Sequence, residues 1–97
     1  IVGPQHDGEL KWQAAMEWAT GVNVKNCPKD YTLPFRAEQA LQFANVPELF
    51  ESEWYWSCEQ LAANPDYAWV QHFGDGLQDD DPKSGDCRAR AVRRIKI

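Results

Sequence analysis

Positive charge is missing from the middle of this chain. Between Arg36 and Lys83 there is no Lys or Arg, while Glu38, Glu48, Glu51, Glu53, Glu59, Asp66, Asp75, Asp79, Asp80 and Asp81 all fall in that stretch. A segment of this kind cannot neutralise phosphates, so a basic nucleic-acid-binding domain is excluded there. Long apolar runs are missing too. None approaches the ~20 residues that cross a bilayer, and no basic-then-apolar leader opens the chain, so neither a membrane span nor a secretion signal is expected. Cysteine is scarce: Cys27, Cys58 and Cys87 are odd in number, widely spaced and form no C-x-x-C pair. That argues against a disulfide-stapled secreted domain and for an intracellular protein with reduced, partly buried thiols. The two histidines, His6 and His72, are isolated in sequence.

What the chain does have is the composition of a folded unit. It has 97 residues, of which 43% are hydrophobic and 26% charged, and it carries five Trp. Residues 1–97 are expected to form a single domain around one core, burying roughly 60–65% of the unfolded surface. The chain opens on Ile1 rather than Met, which leaves room for residues upstream.

The net charge of −5 is unevenly laid out. After the acidic middle the sign reverses, with Lys83, Arg88, Arg90, Arg93, Arg94 and Lys96 against Asp86 alone. Two arrangements are open. The basic tail can lie beside the acidic middle as a neighbouring strand and cancel it, or part of the acidic stretch can stay uncovered and face a basic partner. Six cations cannot cover ten anions, so some acidic surface is expected in either case.

Hydrophobic periodicity gives a coarse layout. Trp12, Ala15, Met16 and Ala19 recur at helical steps, predicting a helix from Glu9 to about Thr20 with Asp7 as its cap. Asn23 to Tyr31 reads as a connecting loop. Pro34 then leads into a second helix, Arg36 to Ala44, with Ala37, Ala40, Leu41 and Ala44 as its inner face. Pro47 starts a short turn. Trp54 to Cys58 and Tyr67 to Phe73 have strand composition, and Gly74-Asp75-Gly76 supplies a turn. Asp79 to Asp86 reads as a loop, and Arg88 to Ile97 as a closing strand. Helices first and strands afterwards predict an α+β fold, two N-terminal helices packed on a small antiparallel sheet.

The ordered series Trp54-Tyr55-Trp56-Ser57-Cys58-Glu59-Gln60, then Ala68-Trp69, Phe73, Gly76, Lys83 and Arg88 to Arg94 resembles the Lcl C-terminal-type domains. These are C-type-lectin-like folds of bacterial surface proteins and short phage and prophage proteins. Trp12 to Ala15, Leu33-Pro34, Arg36 and Glu38 fit the same pattern, so the resemblance spans roughly residues 10 to 95. It implies a compact lectin-like core but not an activity, because one fold hosts many functions. Phe35 departs from it by replacing the small hydroxyl residue usual after Leu-Pro, which removes a helix cap. Cys58 stands where a serine is usual. By size, acidity and phage-type ancestry the chain also resembles phage anti-CRISPR proteins that imitate nucleic acid and block type I surveillance complexes, which implies a place in the host-cell cytoplasm.

No motif demands catalysis. Cys58 or Cys87 could pair with His72 as an activated thiolate, yet no signature surrounds either. Asp75, Asp79, Asp80, Asp81 and Asp86 supply hard oxygen ligands for calcium, but the spacing and closing Glu of an EF-hand are absent. Direct nucleic-acid binding would rest on Arg88, Arg90, Arg93, Arg94 and Lys96 in an otherwise acidic molecule. The expectation is therefore a cofactor-free, non-enzymatic monomer that contacts neither membrane nor nucleic acid. It would bind a basic nucleic-acid-binding host protein or complex through Glu48, Glu51, Glu53, Asp75, Asp79, Asp80 and Asp81. Trp54 and Tyr55 lie beside the first group as interface anchors or, alternatively, as core residues. A lectin-like module for glycan or a host surface protein is the competing expectation.

Overall fold

The computed structural model describes residues 2–21 and 31–93. In chain order these are strand β1 (Val2–Gln5), helix α1 (Trp12–Gly21), strand β2 (Tyr31–Thr32), helix α2 (Arg36–Asn45), a 3-10 turn (Pro47–Leu49), and strands β3 (Trp54–Leu61), β4 (Asn64–His72), β5 (Gln78–Pro82) and β6 (Arg90–Arg93). The α+β class stands, with corrections. There are two three-stranded antiparallel sheets, β1-β6-β2 and β3-β4-β5, not one. The helices do not lead the chain, since β1 precedes α1 and β2 separates the two. The predicted loop from Asn23 onwards and the tail from Arg94 lie outside the described residues, except that Tyr31 opens β2. No described helix is long and apolar enough to cross a membrane.

Arg88 ties the two sheets together. Its carbonyl accepts from Trp56 N at 2.9 Å and its amide donates to Trp54 O at 2.9 Å. Next to it, Leu10 and Cys87 exchange backbone bonds of 2.8 and 3.0 Å. Helix α1 begins at Trp12, later than predicted and beyond reach of Asp7 as a cap; Lys83 O accepts its first amide instead. The predicted stripe holds: Trp12, Ala15 and Ala19 are buried, and Met16 packs against the same cluster.

Strand register fixes the two faces of the β3-β4-β5 sheet. Trp56 pairs with Val70, and Val70 with Asp79, so these residues share a face. Trp56, Ala68 and Val70 from that face form the core with α1, Ala89 and Ala91. The buried indoles keep partners there: Trp12 Nε1 donates to Ser57 O (2.9 Å) and Trp56 Nε1 to Leu10 O (2.7 Å). The other face carries Tyr55, Trp69, Gln71 and Gln78, and α2 lies over it.

Helix α2 is turned the opposite way from its apolar pattern. Ala37, Ala40, Leu41 and Ala44 face solvent, and Gln39 is 1% exposed. The reason is chemical complementarity with a polar sheet face. Gln39 Nε2 donates to Tyr55 O and Trp56 O, Gln71 Nε2 to Gln39 O, and Gln78 Nε2 to both Gln71 Oε1 and Arg36 O. The Arg36 guanidinium lies 3.5 Å from the centre of the Trp69 ring. A shift in the β3–β4 register after Trp56 marks a bulge. Beyond it, Glu59 Oε2 accepts from Arg36 N at 2.7 Å while Glu38 Oε1 accepts from Phe35 N at 2.7 Å. Two carboxylates thus replace the cap that Phe35 cannot provide.

Candidate partner-binding surface

Asp79, Asp80 and Asp81 sit on a strand rather than in the predicted loop. Aspartate has low strand propensity, but β5 needs no intrinsic preference, because a tight turn hands it to β4. Gly76 adopts φ +81° there, and Asp75 Oδ1 accepts from Leu77 N at 3.0 Å. The bonds His72 N to Leu77 O and Lys83 N to Asp66 O set the phase of the ladder. Asp79 and Asp81 therefore direct their backbone groups at β4, and Gln78, Asp80 and Pro82 direct theirs outward. The outward edge is poor in donors: Pro82 has no N–H, and Asp80 N donates to Asp79 Oδ1 at 2.8 Å. Charge and proline both discourage strand addition here, so β5 reads as an edge closed to β-pairing.

Strand β5 and its neighbours border a cleft of about 250 Å³ lined by Trp54, Val70, Asp79, Asp80, Asp81, Asp86 and Cys87, with Asp80, the partner of Trp69, belonging by register to the face under α2. Trp54 is half-buried, its ring edge-on to His72 with centroids 5.0 Å apart. Val70 and Cys87 form the apolar inner side. The turn 83–86 closes over Asp81 so tightly that a Cβ at Gly85 would meet its carboxylate. Cys87 Sγ lies 3.7 Å from Asp81 Oδ2 and donates to it. Burial, and secondarily repulsion from Asp79 and Asp80, pushes the Asp81 carboxyl above the usual range, although the Cys87 bond opposes this. Burial and the Asp81 charge push the Cys87 thiol up to about 12, leaving it a protonated, unreactive group.

Cations do little to cover these acids. Strand β6 lies in the other sheet between β1 and β2, and of the basic segment it is Arg88, just before β6, that bridges to β3; Arg94 and Lys96 lie outside the described residues. Lys83 binds Gln60 Oε1 and the Trp12 ring, and Arg90 binds the carbonyls of Gly3 and Leu49. Arg88 does meet an acid, with Nε 2.9 Å from Glu51 Oε2, though its N–H is not aimed at that oxygen. Lys11 stands 3.5 Å from Asp86 at the rim, both well exposed. Asp79, Asp80 and Asp81 pair with no cation among the described residues.

The other predicted residues divide. Glu48 and Glu53 are exposed, and Phe73 N donates to Glu53 O at 3.0 Å, which holds the 51–53 segment against the turn carrying Asp75. Asp75 itself is 3.6 Å from His72 Nδ1. Tyr55 is not available to a partner: it is 1% exposed, and its hydroxyl accepts from Glu51 N and donates to Gln5 Oε1. Burial raises its phenol pKa. Val70, together with Asp86 and Cys87, which the sequence offers only for calcium and thiolate chemistry, joins this surface through sheet pairing that leaves no mark in local sequence. Among the described residues no group of three or more His, Cys, Asp or Glu is arranged to hold a metal ion. The chain matches no protein-family model and no curated protein.

Proposed function

We propose that this protein acts by binding, without turnover, and that its acidic cleft and the carboxylates around it take the place of nucleic-acid phosphates on a basic host protein. The observation that carries this reading is Asp79 and Asp81 on the cleft side of β5, with Asp80 between them and Trp54 lining the same cleft, none of the three paired with a cation among the described residues. Carboxylates fixed in this way form charge-assisted bonds with Lys and Arg and steer encounter through a shared field. Trp54 adds an aromatic surface on which a guanidinium can stack. An inhibitor of a type I surveillance complex, competing for the groove that holds DNA, is the specific form that the phage anti-CRISPR resemblance suggests. The lectin-like core belongs to the same proposal, since two helices and two small antiparallel sheets are compatible with it.

Affinity capture from a host lysate with wild type and with Asp79→Asn/Asp80→Asn/Asp81→Asn, at about 50 and 300 mM salt, tests the reading. A basic nucleic-acid-binding partner retained by wild type at low salt, and lost with the triple variant, is expected. Equal capture by both proteins at both salts, or a glycan hit on an array in place of a protein partner, would overturn it.

A further inference from the structure

Strand β4 ends on a histidine whose ring takes part in the backbone bonding of the turn that follows. His72 Nδ1 accepts from Gly74 N at 3.0 Å. This is the bond that an Asn or Asp side chain makes in an Asx turn, with a ring nitrogen in place of the oxygen. An acceptor there has to be unprotonated, so the neutral ring carries its proton on Nε2. Turning the ring over would set a carbon against the Gly74 N–H and leave that donor unmet. Asp75 Oδ1 lies 3.6 Å from the same nitrogen and accepts from Leu77 N at 3.0 Å.

One nitrogen thus has two neighbours of opposite demand: the Gly74 N–H needs its lone pair, and the Asp75 carboxylate needs a proton on it. We propose that His72 is a pH-sensitive switch in the β4–β5 turn. With the ring neutral, Nδ1 holds the Gly74 amide. When the ring takes up a proton from solvent, Nδ1 becomes a donor, releases that amide and bonds Asp75 Oδ1. The side chain is 22% exposed, which gives the proton its route. Among the described residues no Lys or Arg pairs with Asp75. By sheet position the other nearby charges are Asp79 and Asp81 on the same face of β5, and Glu53 beside the cross-strand partner Trp54. Asp86 lines the cleft with Trp54, and Cys87 there is a neutral thiol. Arg88, whose amide donates to Trp54 O, has its guanidinium at Glu51.

The switch is local, because the bonds on either side do not involve the ring. His72 N donates to Leu77 O (2.9 Å), Gly76 N to His72 O (2.8 Å) and Phe73 N to Glu53 O (3.0 Å). These hold the ends of the turn in both states. The parts that respond are Gly74, Asp75 and the Leu77 amide, whose acceptor oxygen is then shared. The ring stands edge-on to Trp54 with centroids 5.0 Å apart, so its movement reaches the rim of the cleft. The device does not depend on what the cleft binds.

An NMR titration of the whole chain from about pH 8 to about pH 5, reading the His72 ring nitrogens and the turn amides, tests it. At the high end the ring should be the Nε2–H tautomer. On protonation the Gly74 amide proton should shift upfield as its hydrogen bond is lost. The Leu77 amide and the Trp54 indole N–H should move with the same midpoint, while the Phe73 and Gly76 amides stay in place. His72→Asn, whose side-chain oxygen accepts from Gly74 N at every pH, should keep the turn and abolish the transition. His6 is unchanged in that variant, so its titration does not account for the difference. A neutral His72 ring protonated on Nδ1, a Gly74 amide that does not follow the His72 titration, or one that still moves with that midpoint in His72→Asn would overturn the proposal.

Discussion

Asp81 and Cys87 share a part-buried contact, and burial raises the pKa of both. The Asp81 carboxyl is raised mainly by burial, so the folded state holds its proton more tightly than the unfolded chain does. The stability associated with that proton is complete at low pH and is lost as pH rises through the raised folded value. Asp81→Asn, which keeps an acceptor for the Cys87 thiol, should therefore raise the melting temperature at pH 7. The gain should stay below about 1 kcal/mol because the side chain is partly in water. Cys87 acts at the other end of the scale. An unfolded thiol ionises near 9.0 but the folded one holds its proton to about 12, so stability falls as pH climbs between those values. Urea titrations from pH 7 to 11 should show that fall, and Cys87→Ala should lessen its alkaline steepness. Trp12 illustrates a different constraint. Its indole N–H has a buried carbonyl partner in Ser57, so Trp12→Phe should cost about 1–3 kcal/mol in urea midpoint for the lost bond and volume.

Among the elements, α2 is the most instructive because its limits were legible and its orientation was not. Pro34 and Asn45 bracket the helix correctly, yet the Ala and Leu spacing points to the wrong side. Hydrophobic periodicity assumes an apolar platform, and the sheet beneath α2 presents Gln71, Gln78 and backbone carbonyls instead. Nothing local to residues 36–45 reveals that. The Phe35 departure did mark a missing cap, and the remedy comes from afar, since Glu59, in the irregular stretch of β3 between Trp56 and Gln60, accepts from Arg36 N. Glu59→Ala should destabilise the protein by about 0.5–2 kcal/mol and weaken amide exchange protection first at the start of α2. Strands β3 and β4 were readable from their aromatic and alternating residues. Strand β5 was not, because aspartates at an edge satisfy solvent and charge requirements rather than strand propensity. The turn before it does have a sequence mark in Gly76, which combines φ +81° with a Cβ position 2.7 Å from the Phe43 ring. Gly76→Ala should cost about 1–3 kcal/mol in thermal or urea unfolding by combining backbone strain with that overlap.

For the molecule as a whole, topology decides what the charge can do. Composition alone left open whether the basic tail covers the acidic middle. Placing β6 between β1 and β2 commits Arg90 to backbone carbonyls and leaves Asp79, Asp80 and Asp81 without described cations. The candidate site was thus legible in its acidic residues and in Trp54, while Asp86 and the cleft itself emerge only from sheet pairing and the turn after β5. Tyr55, adjacent to Trp54 in sequence, points to the opposite face and belongs to the packing, which the alternation of a strand already implies.

The most direct measurement is an NMR titration of the protein with a hexa-arginine peptide at about 50 and 300 mM salt, repeated with Asp79→Asn/Asp80→Asn/Asp81→Asn. The account predicts shifts concentrated on Trp54, residues 79–81 and Asp86, weaker at the higher salt and abolished in the triple variant. Shifts spread evenly over the surface, or equal binding by the triple variant, would contradict it.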